Sequence, residues 1–181
     1  MQSLQGSLLI AGPGLIDPNF RRTVVLVAEH GPEGAMGLVL NRPSALIVAD
    51  VVPHLTDLVP ADDPVWFGGP VDGDAVVAVG DFEDLDEAAA LIVGSVGFLP
   101  AEADATRLAG AVRSARVYAG YAGWSGGQLE AELAEDSWIV EPSRPEDVFY
   151  ADGTDLWSGV LRRKGGRFRL LATMPDDPSL N

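Results

Sequence analysis

The hydrophobic pattern of the first forty residues predicts three strands joined by tight turns. Ser7–Ala11 and Thr23–Glu29 are apolar runs rich in β-branched residues, and glycine and proline turn signals separate them. The second run is almost continuously apolar, which is typical of a strand covered on both faces. Gly31 to Gly34 then predicts a turn into Ala35–Leu40, so that the last two strands form a hairpin.

The middle of the chain alternates short apolar runs with glycine and proline. Ser44 predicts the cap of a short helix over Ala45–Val52. Ala88–Ile92 fits a helix or a strand, and the alanine-rich Ala101–Ala115 predicts a helix. Three further strands and one acidic connection are predicted at Val65–Phe67, Ala75–Val79, Val93–Leu99 and Asp81–Asp86.

The last third has the clearest pattern, with a strand, a helix and a strand in succession. They are predicted at Arg116–Ala122, Ser125–Glu135 and Ser137–Val140. Ser143 with Glu146 forms a capping-box pattern, Asp155–Lys164 predicts a helix stopped by two glycines, and Arg167–Thr173 predicts a last strand. No repeat or linker marks a boundary, so residues 1–181 are predicted to form a single compact α+β domain.

The composition of the chain excludes or disfavours several kinds of functional site. The 181 residues contain no cysteine, which excludes disulfides, thiolate nucleophiles and cysteine-type zinc sites. A net charge of −15 disfavours direct binding to nucleic acid. No standard nucleotide fingerprint occurs, so we expect no cofactor. No apolar run approaches the roughly 20 residues that span a bilayer, and the N-terminus lacks the pattern of a signal peptide. We therefore expect a cytoplasmic protein without a membrane partner.

The glycine-rich segment Tyr118–Leu133 carries most of the candidate chemistry. Its four glycines surround a predicted strand-to-helix junction, and each costs roughly 0.5 to 1 kcal/mol relative to alanine within an element. Two interpretations stand: aromatic side chains pack over the glycines, which we favour, or a ligand approaches exposed N–H groups. The candidate binding residues are Tyr118, Gly120, Tyr121, Gly123, Trp124, Gly127, Gln128 and Glu130.

The same segment matches G-x-S-x-G, the nucleophile elbow, with Ser125 at its centre. Both histidines, His30 and His54, precede Ser125, whereas the α/β-hydrolase order puts the histidine last. Ser125 with Gln128 also fits a capping box, which we favour. A hydrolase that uses Ser125, or an acid–base site at His30, is the alternative function.

Two polar pairs stand at predicted strand ends. Glu29 and His30 are adjacent on a strand and point to opposite faces, so no shared metal is expected. His30 is interpreted as a turn residue in preference to a general base. Asn41 and Arg42 either bind a ligand or terminate the strand. All four residues are candidate contacts for a ligand or partner.

Several short motifs are spread along the whole chain. They are Gly6–Ala11, Leu15–Leu26, Glu29–His30, Gly34–Pro43, Gly68–Val71, Gly120–Trp124, Gly127–Leu133, Leu156–Trp157, Val160–Gly166 and Asp177–Asn181. Together these motifs resemble the YqgE/AlgH family of bacterial proteins. The resemblance implies an AlgH-like fold, in which helices surround a mixed, barrel-like β-sheet. It brings the label of transcriptional regulator but no agreed catalytic residues, and Ser125 stands where the family often has glycine. We therefore expect a non-enzymatic regulatory protein that binds an unknown small molecule or protein and acts indirectly.

Overall fold

A computed structural model describes residues 2–150 and 154–176, so the motif at Asp177–Asn181 lies outside the described residues. Ten strands form one sheet in this part of the chain. They are β1 (Ser7–Ala11), β2 (Val24–Gly31), β3 (Gly34–Val39), β4 (Pro43–Ile47), β5 (Pro64–Phe67), β6 (Val71–Phe82), β7 (Ala90–Val93), β8 (Val96–Phe98), β9 (Val112–Ser125) and β10 (Trp138–Pro142).

The helices are short and lie between the strands or after them. They are α1 (Val48–Val51), α2 (Ala105–Leu108), α3 (Gln128–Ala134), α4 (Pro145–Val148), α5 (Leu156–Lys164) and α6 (Phe168–Leu171). Single 3₁₀ turns occupy Pro53–Leu55 and Leu85–Glu87. No helix within residues 2–150 and 154–176 is long and apolar enough to span a bilayer.

The long strand β9 is the centre of the sheet. The main path runs β10-β1-β2-β3-β9-β6-β8-β7, while β5 pairs with β9 and β4 pairs with β5. The β5–β9 pair is parallel and the other pairs are antiparallel, so the sheet is mixed. Among the described residues no ladder joins β10 to β7. The α+β fold with a mixed sheet is therefore confirmed, but the barrel-like sheet does not close.

Both faces of the N-terminal strands are buried, as the continuous apolar runs predict. On one face Leu8 and Leu26 join a cluster covered by α5, which contributes Trp157 and Leu161. On the other face Leu9 belongs to a cluster with the indole rings of Trp124 and Trp138 and with Leu129 of α3. A third cluster lies between β9, α1 and α2.

Three predicted elements are wrong in whole or in part. Ala101–Ala115 is helical only over α2, because from Val112 onward the chain pairs with β6 in β9. The predicted final strand Arg167–Thr173 contains α6, since Phe168, Leu171 and Ala172 pack on the core at helical spacing. The predicted helix Ala45–Val52 is wrong over residues 45–47, which belong to β4 and pair with β5, and is confirmed over Val48–Val51, which form α1.

The predicted capping box differs in both of its residues, while the predicted helix that follows it is confirmed. Asp147, rather than Glu146, completes the box at α4, where its Oδ2 accepts from the Arg144 N–H at 2.8 Å. The Ser143 hydroxyl instead donates to the Gly6 carbonyl at 2.6 Å. The predicted helix at Asp155–Lys164 is α5, and Asp155 caps it by accepting from the Ser158 N–H.

Candidate functional site

His30 and Glu130 meet at the end of the β2–β3 hairpin. The Leu4 N–H donates to His30 Nδ1 at 2.9 Å, so the ring proton lies on Nε2. Nε2 then donates to Glu130 Oε1 at 2.8 Å, and the imidazole side chain is only 2% exposed. A hydrogen bond to its own backbone N–H, followed by the contact with His30, lowers the pKa of Glu130. The structure thus joins two predicted site regions and adds the N-terminal segment, which the sequence did not indicate.

Glu29 forms no hydrogen bond or ion pair with either residue of this pair. The register of β2 against β3 shifts between Val27 and Glu29, and a bulge of this kind redirects the side chains beside it. Glu29 is exposed and forms no ion pair with a described residue. Its carboxylate is therefore open to solvent.

Glu132 on α3 accepts hydrogen bonds from two tryptophan side chains near the strand-to-helix junction. Its Oε2 accepts from Trp124 Nε1 at 2.9 Å and from Trp138 Nε1 at 2.8 Å, while Gln128 Nε2 donates to Oε1 at 2.9 Å. Phe20 packs edge-on against Trp138, with ring centroids 5.7 Å apart. Trp124 and Gln128, both predicted as binding residues, therefore have structural partners.

Ser125 lies at the end of β9 and does not cap α3 as predicted. The N-cap of α3 is Gly127, which has a left-handed backbone. Gln128 Oε1 accepts from the Ser125 N–H at 3.1 Å and from its hydroxyl at 3.3 Å, so the hydroxyl is a donor here. Because both ring nitrogens of His30 have other partners, the hydrolase hypothesis requires both residues to rearrange.

Two of the four glycines allow backbones to approach closely. A Cβ at Gly120 would lie 2.5 Å from the Gly69 carbonyl oxygen, and one at Gly126 would lie 2.6 Å from that of Pro32. Gly127 has open space around it but a φ of 79°, whereas Gly123 has ordinary contacts. Packing and turn geometry therefore account for three of these glycines.

Tyr118 and Tyr121 face the cluster under α5. Tyr118 is fully buried, and burial raises the pKa of its phenol. Neither its hydroxyl nor Nη1 of Arg116 has a hydrogen bond of acceptable length and angle among the described residues. The nearby Arg116 guanidinium partly offsets the effect of burial on the pKa of the phenol. The Arg116 guanidinium lies 4.3 Å from the Trp66 ring centroid and 4.5 Å from that of Tyr150. Tyr118 is thus a core residue with an unpaired polar group.

A groove runs across the outer side of the hairpin. It consists of an apolar cavity of about 500 Å³ and a more polar cavity of about 510 Å³, and Glu29 and Met36 line both. We call the two cavities together the Glu29 groove. The apolar cavity is lined mainly by Val52, Leu55, Val76, Val77, Phe98, Leu99 and Pro100. The polar cavity includes His30, Glu33 and Trp124.

Asn41 and Arg42 lie at the opposite end of β3, away from the groove. The Asn41 amide accepts from the Val24 N–H and donates to the Arg22 carbonyl, each at 2.9 Å. Arg42 donates to the Arg21 carbonyl at 2.6 Å. These residues line a separate cavity of about 380 Å³ with Arg21, Arg22, Thr154, Asp155, Leu156, Trp157 and Asp176. The predicted residues therefore belong to two locations, and the sequence pattern did not indicate the contributions of Arg21, Arg22 and α5.

The comparisons with known proteins cover almost the whole chain. Residues 8–169 match the family described as AlgH-like. The UPF0301 protein SCO2948 of Streptomyces coelicolor is 46% identical over 187 residues, which cover 100% of this chain and 97% of the relative. The structure is similar to that of the AlgH protein from Pseudomonas aeruginosa, with 32% identity, a TM-score of 0.72 and coverage of 98% of this chain and 99% of that chain. Protein DIP2367 from Corynebacterium diphtheriae gives a TM-score of 0.89 at 28% identity, over 96% of this chain and 94% of that chain.

Proposed function

The chain belongs to the AlgH-like family, and within that family we propose that it is a non-enzymatic regulatory protein that binds a cationic, apolar segment of a partner protein in the Glu29 groove. The observation that carries the proposal is the position of Glu29, which lines both the apolar and the polar cavity and whose carboxylate has no ion-pair partner in residues 2–150 and 154–176.

The apolar half of the groove supplies the binding surface. Val76 is 43% exposed on β6, although it lies beside the buried Leu55 and Leu99. Exposed apolar surface next to a concave wall, with a polar rim, is typical of a protein–protein contact. An apolar side chain of the partner fills this half.

The charge of the groove selects the partner. The polar half is lined by Glu29 and Glu33, and among the described residues no lysine or arginine lines either half. The chain as a whole carries a net charge of −15. A lysine or arginine next to the apolar anchor therefore pairs with Glu29, and the long-range field accelerates association. Any effect on transcription is indirect, through the protein partner, because the same charge opposes binding to DNA.

The test uses labelled synthetic peptides of equal length that alternate leucine with lysine, leucine with glutamate, or serine with lysine. Fluorescence anisotropy should show saturable binding of the leucine–lysine peptide and much weaker binding of the other two. Glu29→Gln should weaken that binding several-fold. Glu135→Gln removes the same charge at an exposed site outside the groove and serves as the matched control.

A second substitution tests the apolar half. Val76→Asp should abolish binding of the leucine–lysine peptide while leaving the circular dichroism spectrum unchanged, because the side chain is substantially exposed. Equal weakening by Glu29→Gln and Glu135→Gln would show that the peptide responds only to net charge. That result, or binding that survives Val76→Asp, would rule out the groove as the binding site.

A further inference from the structure

A second site lies at the other end of the β2–β3 hairpin, in the cavity of about 380 Å³ that Asn41 and Arg42 line. Three arginines, Arg21, Arg22 and Arg42, surround this cavity, in a chain with only 12 basic residues and a net charge of −15. A concentration of guanidinium groups in an acidic protein requires a local explanation. We call this cavity the arginine pocket.

Backbone contacts hold two of the three guanidinium groups in place. Arg42 donates to the carbonyls of Arg21 and Pro18, at 2.6 and 3.2 Å. Arg22 donates from Nη1 to the Met174 carbonyl at 2.8 Å, and its guanidinium lies 4.1 Å from the centroid of the Trp157 ring. Groups that are already positioned lose little conformational freedom when a ligand binds.

The third guanidinium, that of Arg21, is exposed and makes no ion pair with the described residues. Two carboxylates line the pocket. Asp155 is engaged in capping α5, where its Oδ1 accepts from the Ser158 N–H at 3.1 Å. Asp176 lies 2.5 Å from Arg22 Nε, and its side chain is 85% exposed.

The contact between Asp176 and Arg22 indicates that the pocket can hold an oxyanion. A carboxylate oxygen already rests against the Arg22 guanidinium, but an exposed ion pair of this kind is weak. Phosphate and carboxylate groups match the fork of donors on an arginine, and phosphate offers further oxygens to a second guanidinium. A free oxyanion that also reaches Arg21 makes more charge-assisted hydrogen bonds than Asp176 does alone.

We propose that the arginine pocket binds the phosphate or carboxylate group of a small molecule, in exchange for the Asp176 carboxylate. The volume is that of a small-ligand site. This binding is independent of the partner proposed for the Glu29 groove, since no described residue lines both the arginine pocket and the groove.

The experiment titrates the full chain with inorganic phosphate and, separately, with citrate, at constant ionic strength set by chloride. The signal is the Trp157 indole resonance in two-dimensional NMR, because this ring lines the pocket. Saturable shifts with both anions support a general oxyanion site. Saturation with only one of them supports the proposal and identifies the preferred group.

Two pairs of matched variants locate the binding. Arg21→Gln should weaken it about tenfold, as expected for the loss of one charge-assisted hydrogen bond. Arg162→Gln removes the same charge from an exposed position outside the pocket and should leave the affinity nearly unchanged. Asp176→Asn should tighten binding about two- to fivefold by removing the competing carboxylate. Asp62→Asn makes the same change in charge at an exposed position outside the pocket and should leave the affinity unchanged.

Three results would overturn the proposal. The first is the absence of a saturable shift at Trp157 with either anion. The second is equal weakening by Arg21→Gln and Arg162→Gln, which would indicate an adventitious ion only. The third is an affinity for Asp176→Asn no higher than for Asp62→Asn, which would show that Asp176 does not compete. Arg21→Lys retains the charge but not the fork of donors, so its affinity should lie between those of the wild type and Arg21→Gln. An unchanged circular dichroism spectrum of Arg21→Gln separates loss of binding from loss of fold.

Discussion

His30 Nε2 donates a hydrogen bond of 2.8 Å to Oε1 of Glu130, a residue 100 positions later in the chain. The same ring accepts the Leu4 N–H on its other nitrogen. One imidazole therefore ties the N-terminal segment, the β2–β3 hairpin and α3 together at one end of the Glu29 groove. This arrangement stabilises the wall of the groove and leaves the neighbouring Glu29 available.

Replacing His30 should raise the pKa of Glu130. In His30→Phe the carboxylate loses a donor, so its pKa should move up toward the usual value for glutamate, although its own backbone N–H still lowers it. A carboxyl group with a lowered pKa contributes stability above its unfolded pKa, and this contribution is lost as the pH falls through the folded pKa. The wild type should therefore lose more stability than the variant across that acidic range.

Carbon-detected NMR titration of the Glu130 carboxyl group measures the shift directly. The matched control is His54→Phe, which changes an exposed histidine outside this pair and should leave the titration of Glu130 unaltered. An unchanged Glu130 titration in His30→Phe would show that the imidazole does not act on this carboxylate in solution.

Loss of the Glu132 carboxylate should destabilise the fold. Glu132→Ala leaves the N–H groups of two buried indoles, Trp124 and Trp138, without their acceptor. We expect a loss of about 2 kcal/mol in the free energy of unfolding, and about 1 kcal/mol for Glu132→Gln, which keeps an acceptor oxygen. Urea unfolding followed by far-ultraviolet circular dichroism measures both changes.

Glu135 provides the comparison for that measurement. It lies on the same acidic segment but is exposed, and its substitution by alanine should change stability by less than about 0.5 kcal/mol. Equal effects of Glu132→Ala and Glu135→Ala would mean that the two indole hydrogen bonds contribute nothing beyond helix propensity and charge.

The sequence predicted those elements whose local pattern and tertiary environment agree. The continuous apolar run of β2 is buried on both faces, and the succession β9, α3 and β10 follows the predicted order. Ala101–Ala115 was mispredicted because alanine propensity favours helix, whereas pairing of Ala115 with Gly80 places the end of this run in the sheet. Arg167–Thr173 was mispredicted as a strand because Arg167 and Arg169 alternate with apolar residues, although the residues that reach the core follow helical spacing.

The candidate site was predicted in part. The strand-to-helix junction and the Glu29–His30 pair do come together, but His30 contacts the junction through Glu130 rather than through Ser125. The arginine pocket depends on distant segments that only the fold assembles, from Arg21 through Trp157 to Asp176. A single sequence contains no local pattern that predicts contact between these distant segments. The one local feature is the pair of adjacent arginines, Arg21 and Arg22, after a turn.

Tyr118→Phe should leave the protein as stable as the wild type or more stable. The buried hydroxyl has no hydrogen-bond partner among the described residues, and an unsatisfied buried group of this type costs about 1 kcal/mol or more. Burial also raises the pKa of the phenol above its unfolded value near 10. The wild type therefore loses stability as the pH rises above the unfolded pKa, because only the unfolded chain ionises readily there.

Urea unfolding of both proteins at neutral pH and at about pH 10.5 tests this prediction, with Tyr121→Phe as the comparison at a partly buried tyrosine. The stability advantage of Tyr118→Phe should grow with pH. A loss of more than about 1 kcal/mol at neutral pH would show that the hydroxyl is satisfied in solution.

The glycines of the junction should respond to alanine in a fixed order. Gly120→Ala places a Cβ 2.5 Å from the Gly69 carbonyl oxygen at a φ of 69°, so both a backbone clash and strain oppose it, and we expect a loss of about 3 kcal/mol or more. Gly127→Ala meets no atom within 4 Å but keeps a φ of 79°, which should cost about 1 to 2 kcal/mol. Gly123→Ala meets only side-chain atoms at 3.5 Å or more and has no left-handed φ, so it should be nearly neutral.

Chemical denaturation of the three variants gives the order directly, and Gly123→Ala serves as the internal control. Peptide binding in the Glu29 groove should persist in Gly127→Ala, because this glycine lines neither cavity. If Gly120→Ala is no more destabilising than Gly123→Ala, close packing does not explain Gly120. The interpretation that the junction keeps its glycines for an approaching ligand would then gain support over the packing interpretation.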